Sequence, residues 1–471
     1  MPHAPLPSAD RSGSLALLQR LAMWLPLQRA HLLLVLAGAL GCIGALATIL
    51  FRECLRVLQW WLSRTDQDLV AVARALPWWA RVLVPTVGGL LAGLLLQIGS
   101  KWISRNGSED YMEAIAIGDG VLSARQSLLR SASSLCSVAS GASIGREGPM
   151  VQLAALCGSL AGRVLRRVTM ISTDQLRLLV ACGAAAGLTS AYNAPIAGAV
   201  FVCEIVYGSI TTAKLGPMLI ATVMSDIVVR QFFGYGAAYA MPHFNFVSGW
   251  EVFTYLGLGL AAGMAGPLLL VLIDRARDGF LHIPLPFAVR MALGGLVVGV
   301  FSVKVPEVWG NGYSVVNSFL HEPWQWQGVT LVLLCKVLAT AASAGSGAVG
   351  GIFTPTLFCG AALGLLYGSA MHALLPAAAA VPASYAIVGM GALLAATTHA
   401  PLMSILMIFE MTLSYQVVLP LMLACMTGYV TANAAGAPSV YARSLARDQG
   451  VGEKQAKDAS VAWASDLKRP Q

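Results

Sequence analysis

The residues with the clearest capacity for chemistry are one carboxylate and a set of main-chain amides. Glu147 lies in Gly145-Arg146-Glu147-Gly148-Pro149, directly ahead of the apolar run Met150-Val151-Gln152-Leu153-Ala154-Ala155-Leu156. A glycine-rich turn leading into proline predicts a helix start, because the N–H that proline lacks has no partner in a first turn anyway. A helix start exposes free backbone N–H groups and the positive end of the helix dipole. Such a terminus attracts an anion without any charged ligand. The pattern recurs as Gly350-Gly351-Ile352-Phe353-Thr354-Pro355. Candidate anion ligands are the amides of Ile352 and Phe353, and those of Gly145, Arg146 and Gly148 around Glu147. Taken singly, either segment could be a plain cap that turns the chain; their repetition favours a site.

A carboxylate in an apolar segment is costly and by default functional. At a helix N-terminus Glu147 could occupy the anion position itself as a tethered competitor, and protonation would remove that competition. The alternative is an ion pair with Arg146, but successive residues rarely face each other. Glu204 and Glu410 each follow an Ala-Pro pair at the same interval, from Pro195 and from Pro401. Their duplication suggests a structural task, such as accepting backbone N–H bonds or facing an aqueous vestibule. Arg130 and Lys336 could raise the positive potential that draws anions, or could pair with those glutamates.

The elements that must position these groups are membrane helices. Of 471 residues, 57% are hydrophobic and 11% charged, against about a quarter charged in ordinary soluble domains. Residues 30–51, 82–100, 178–203 and 252–273 hold no Asp, Glu, Lys or Arg, and neither does the stretch from Val337 to Phe409. A bilayer core of about 30 Å needs about 20 apolar residues per helix. The chain is therefore an all-α polytopic membrane protein, and a soluble enzyme is excluded. The net charge of +8 does not argue for nucleic acid, because the basic residues cluster in terminal and loop segments such as Arg11, Arg20, Arg29, Arg163, Arg166 and Arg167. Such segments tend to stay cytoplasmic, so both termini are expected there. The nine cysteines contain no Cys-x-x-Cys and the seven histidines no His-x-x-x-His; buried small hydrophobes explain the cysteines better than a metal site.

An internal duplication sets the organisation. Pro149 and Pro355, Pro195 and Pro401, Glu204 and Glu410, and Arg130 and Lys336 are all separated by 206 positions, as are several glycine pairs. Duplicated membrane halves are often inverted, with the binding site at their interface and formed by broken helices. Segments 131–144, 149–162, 183–191 and 352–370 read as short, interrupted pieces of this kind. The expected organisation is a cytoplasmic segment over 1–29, a first membrane repeat over 30–233, a second over 234–442, and a cytoplasmic tail over 443–471.

Gly145-Arg146-Glu147-Gly148-Pro149, Gly350-Gly351-Ile352-Phe353-Thr354-Pro355, Asn193-Ala194-Pro195-Ile196-Ala197-Gly198 and Glu410-Met411-Thr412 resemble the CLC chloride channels and transporters. Tyr111-Met112-Glu113-Ala114 and Ala181-Cys182-Gly183-Ala184-Ala185-Ala186-Gly187 resemble its bacterial ClcB-type branch. The resemblance covers roughly residues 30–445. It implies a CLC-type fold of two inverted repeats with short, tilted and broken helices, and a homodimer with one anion pathway per subunit. It also implies multi-pass residence in a bacterial inner membrane, chloride as the substrate and no cofactor. Family members with a C-terminal regulatory domain carry it after the membrane part; only a short tail follows Tyr441, so none is expected. By position, Glu147 matches the external gating glutamate, Ile352 and Phe353 the backbone anion ligands, and Tyr441 the tyrosine whose hydroxyl contacts the central chloride.

Two departures from the family pattern stand out. The family's Gly-Ser-Gly-Ile-Pro anion-binding stretch is matched to Gly118-Asp119-Gly120-Val121-Leu122, where an ionised Asp119 would repel an anion that a serine hydroxyl would bind. The internal proton-transfer glutamate falls at Ile205, which carries no proton, and Glu204 beside it points about 100° away on a helix. The expected function is gated chloride conduction with Glu147 as gate, and chloride/proton exchange is the alternative, with Asp119 and Glu204 as possible pathway residues. A cation-coupled carrier ranks below both, because acidic residues are few. A membrane enzyme ranks lower still, because no nucleophile, metal or paired-carboxylate pattern is present.

Overall fold

A computed structural model describes residues 29–65, 67–102, 108–168, 171–239, 251–376 and 380–448. The expected cytoplasmic segment 1–29, apart from Arg29, and the tail beyond 448 lie outside the described residues. Within them the chain is almost wholly helical, and its β-type pairing is confined to two isolated bridges.

The first half runs through α1 (Arg29–Ser63), α2 (Leu69–Ala75), α3 (Trp78–Gly99), α4 (Tyr111–Ala116), α5 (Ala124–Ala139), α6 (Glu147–Val168), α7 (Thr173–Tyr192), α8 (Pro195–Phe201) with a π-turn over Val202–Val206, and α9 (Thr212–Phe233). The second half follows with α10 (Glu251–His282), α11 (Phe287–Lys304), α12 (Tyr313–His321), α13 (Trp326–Ser346), α14 (Phe353–Leu374), α15 (Pro382–Thr398), α16 (Pro401–Thr412), α17 (Val418–Ala434) and α18 (Val440–Asp448). Nine helices among the described residues are long and apolar enough to cross a bilayer. Large apolar side chains such as Leu50, Leu91, Met264, Leu268 and Leu334 stand exposed along them, as lipid-facing surfaces require.

The duplication seen in the sequence is carried by the backbone. Helices α6 and α14 begin and end 206 residues apart, and so do Pro195–Val206 and Pro401–Thr412. Asn193 and His399 end their helices in the left-handed region at φ 55° and 58°, an uncommon conformation for non-glycine residues. Ala194 and Ala400 follow at φ −126°, ψ 79° and φ −124°, ψ 75°. Ahead of the two cradles, Ala142 N–H donates to Ser137 O and Ala348 N–H to Ser343 O. These matched turns place two repeats of one helical unit in the chain.

The two glycines Gly158 and Gly364 explain how each repeat packs. A Cβ on Gly158 would lie 2.4 Å from Leu179 O, and one on Gly364 would lie 2.1 Å from Tyr385 O. Small residues let helix backbones approach closely, which drives helix association where lipid supplies no hydrophobic contrast. The same fact corrects one expectation. Segments 149–162, 183–191 and 352–370 are not short interrupted pieces but parts of helices of 22, 20 and 22 residues. Their glycines mark packing contacts rather than breaks, and α6 continues past its apolar stretch through Arg166 and Arg167.

Two exchanges join the halves. Gly145 and Gly351 form an antiparallel bridge, N–H to O in both directions at 2.8 and 2.9 Å. Glu410 accepts from Ile196 N–H and Ala197 N–H at 2.9 and 2.8 Å. Glu204 accepts from Leu402 N–H and Met403 N–H at 3.2 and 2.7 Å. Each glutamate thus caps the N-terminus of the other repeat's proline-initiated helix, where negative charge complements the dipole.

Candidate anion site

The bridge between Gly145 and Gly351 brings the N-termini of α6 and α14 to one place. Glu147 opens α6 and is buried. Its Oε1 accepts a hydrogen bond from Thr354 Oγ1 at 2.5 Å. Thr354 Oγ1 is also 2.8 Å from the Tyr192 hydroxyl; since the threonine proton serves Glu147, the tyrosine donates. The Tyr192 ring packs against Phe353, with centroids 5.1 Å apart. A relay of hydroxyls from α7 and α14 therefore holds the carboxylate, while Oε2 has no hydrogen-bond partner. The ion pairs among the described residues do not include Arg146 with Glu147.

Beside this carboxylate lies a cavity of about 300 Å³. It is lined by Arg130, Ser131, Glu147 and Gly148 from the first repeat and by Gly350, Gly351, Ile352 and Phe353 from the second. Tyr441 and Ser444 of α18 and Arg277 of α10 close it. Ile352 is the N-cap of α14 and Phe353 its first residue, so their N–H groups lack intrahelical partners. Buried acidic ligands are few in this chamber and free amides are concentrated, an arrangement that favours a small anion.

Of the residues singled out in the sequence, Glu147, Gly148, Ile352, Phe353 and Tyr441 converge on the cavity. Gly145 does not serve as an amide ligand, because its N–H is committed to Gly351 O. Arg146 is half-buried and is not part of the cavity lining. Asp119 is exposed and accepts a hydrogen bond from Val121 N–H at 3.0 Å, away from the cavity. Glu204 is engaged with the two amides of α16, as described above. Arg130 faces the cavity with its guanidinium 3.9 Å from Glu109. Lys336 is fully buried and donates to the Val308 and Gly310 carbonyls at 3.0 and 2.7 Å. Neither cation pairs with Glu204 or Glu410: Arg130 lies beside Glu109 and Lys336 is engaged by the loop carbonyls.

The chain's relatives accord with this architecture. Residues 88–433 match the family model described as voltage gated chloride channel. The chain belongs to the CLC family, in its ClcB-type branch. A protein of Ralstonia nicotianae described as a ClcB-like chloride channel protein is 80% identical over 417 residues, 88% of this chain and 97% of that one. The ClcB of Citrobacter koseri, described as a voltage-gated ClC-type chloride channel, is 42% identical over 88% of this chain and 99% of its own. A solved structure of a slow cyanobacterial Cl⁻/H⁺ antiporter superposes with a TM-score of 0.78 at 28% identity, covering 90% of this chain and 98% of that one. A CLC-type fluoride/proton antiporter gives a TM-score of 0.70 at 19% identity, covering 87% and 97%, which establishes the shared fold alone.

This CLC protein also uses residues that the sequence reading did not assign. Asp110, Tyr111 and Met112, at the start of α4, line the cavity. The first-repeat loop at the cavity therefore lies ahead of Tyr111, not at 118–122. Its signal was an acidic N-cap before an apolar turn: Asp110 accepts from Met112 N–H at 3.1 Å. Gln152 accepts from Tyr111 N–H and donates to Ser127 Oγ and Glu109 O, anchoring that loop to α6. An amide inside an apolar helix was the available clue. Thr354 sits within the quoted second cradle, but no spacing rule links it to Tyr192 or to Glu147.

Proposed function

We propose that the chain conducts chloride across the bilayer through this cavity, with Glu147 as the gate. One observation carries the reading. A buried carboxylate, held by Thr354, stands where two helix N-termini meet, and in this reading it takes the place of an anion. Ionised, it competes with the anion for the same amides. Protonation removes its charge and its claim on them, so flux rises as pH falls. Ile352, Phe353 and Gly148 supply amide donors, and Tyr441 a hydroxyl. Chloride is the substrate, and no cofactor is required. The protein works as a homodimer with one pathway per subunit in the bacterial inner membrane.

Chloride/proton exchange is the second reading, supported by the likeness to a Cl⁻/H⁺ antiporter at 28% identity. Against tight coupling, Ile205 holds the position of the family's inner proton-transfer glutamate, and the adjacent Glu204 carboxylate is occupied by two backbone donors. Purified protein in liposomes decides between them. Under a chloride gradient, conduction predicts no uphill proton movement, and its appearance establishes exchange. In the same vesicles Glu147→Gln should make chloride efflux insensitive to pH; retention of the unsubstituted pH profile would remove Glu147 from the gate.

A further inference from the structure

Helix α18 has nine residues and brings Tyr441 and Ser444 to the cavity wall. An isolated helix shorter than about 12 residues is marginal in water, so its place over the cavity depends on what fastens it. Its start is capped by Ser439, whose Oγ accepts from Ala442 N–H at 3.2 Å and whose carbonyl accepts from Arg443 N–H at 3.0 Å. The Tyr441 ring stands edge-on to Phe201, with centroids 5.8 Å apart. The charged fastening is Arg443. Its Nη1 donates to Asp274 Oδ2 on α10, and its Nε donates to Pro438 O at 3.1 Å in the turn ahead of α18. One guanidinium thus ties the membrane helix to the turn that launches α18.

The exposure of this pair separates it from ordinary surface pairs. The Arg443 and Asp274 side chains are 10% and 29% exposed, against 68% and 35% for Arg56 with Glu53. Exposed pairs contribute little and are screened by salt, whereas partly buried ones are screened much less. The register also matters. Asp274 sits between Ile273 and Arg277, which both line the cavity, and Arg443 sits between Tyr441 and Ser444, which line it from the other side. Any slip at the pair therefore moves two walls of the chamber relative to each other. We propose that Asp274 and Arg443 are positioning residues for the anion pathway: their pair docks α18 on α10 and so presents the Tyr441 hydroxyl to the chamber. The inference rests on the reading of this cavity as the chloride pathway.

The test measures chloride binding to the purified protein by titration calorimetry for the unsubstituted chain, Asp274→Asn, Arg443→Gln, Tyr441→Phe and the double variant Tyr441→Phe with Asp274→Asn. Asp274→Asn and Arg443→Gln should each weaken chloride binding by about three- to tenfold, as expected when one hydrogen bond to an ion is loosened rather than abolished. In the Tyr441→Phe background Asp274→Asn should weaken it no further, because the hydroxyl that the pair positions is gone. A general loss of stability would not depend on that hydroxyl. If neither single variant of the pair folds, Arg443→Lys, which keeps the charge but not the two-armed reach of the guanidinium, decides alone. Unchanged chloride affinity in the pair variants while Tyr441→Phe binds more weakly, or an equal loss from Asp274→Asn in both backgrounds, overturns the proposal. If Tyr441→Phe itself binds chloride as tightly as the unsubstituted protein, the reading of Tyr441 as an anion ligand fails and takes the proposal with it, so the two failures are distinguished.

Discussion

Placing a methyl group on Gly145 should open the gate without touching any charged residue. A Cβ built there falls 1.8 Å from Glu147 Oε2 and 3.0 Å from Gly351 O. The carboxylate must retreat by roughly 1.5 Å to regain ordinary contact between heavy atoms. Thr354 Oγ1 holds Oε1 at 2.5 Å, so such a shift removes that bond. A hydrogen bond to a charged group is worth about 1.5–3 kcal/mol. Its loss weakens the docked, ionised state by about 10- to 150-fold, at about 1.4 kcal/mol per decade. Because one pH unit corresponds to the same energy, the acid-activation midpoint should move upward by about 1–2 units. Gly145 is not in the left-handed region, so alanine meets no φ penalty there, while Gly351 O must give way by a few tenths of an ångström. Chloride efflux from proteoliposomes recorded against pH measures the shift. A curve superimposable on that of the unsubstituted protein would show that the carboxylate is not confined where the structure puts it.

Three further substitutions probe Glu410, Glu204 and Asp119. Glu410→Gln leaves only one acceptor for the two N–H groups of Ile196 and Ala197, and an orphaned buried donor costs about 1–3 kcal/mol; thermal unfolding in detergent should show a lowered midpoint, as should Glu204→Gln, and unaltered midpoints would exclude capping as their task. Asp119→Ser should leave the relative permeability of chloride and nitrate unchanged, because Asp119 is exposed and outside the cavity lining; a shift in that ratio would bring Asp119 into the pathway.

Much of this was legible because membranes impose simple rules. Backbone polar groups in lipid must be satisfied within helices, so charge-free runs marked the spans, and the interval of 206 from Pro149 to Pro355 marked the repeat. The two cradles were visible because glycine and proline have backbone consequences that do not depend on context. What stayed hidden depends on contacts between the halves. Nothing in the interval between Thr354 and Tyr192 says that their hydroxyls meet at 2.8 Å. The availability of the Gly145 amide could not be read either, because its loss to Gly351 O is a property of the docked pair. Helix lengths failed for a related reason. Gly158 and Gly364 look like interruptions in a single segment and become packing contacts only when the neighbouring helix is present.

The exchanges between the repeats explain why the site belongs to neither half. Each repeat supplies a glutamate that caps a helix in the other, and each supplies one strand of the glycine bridge. The hydrogen bond that holds Glu147 of the first repeat comes from Thr354 of the second. An isolated repeat would therefore expose two helix-terminal N–H groups and one carboxylate to lipid, each lacking its partner, at a cost of several kcal/mol per unsatisfied group. Docking of the halves relieves that cost and builds the anion chamber in the same step. The energy that joins the repeats and the geometry of the chamber thus come from one set of contacts, so a substitution that loosens one loosens the other.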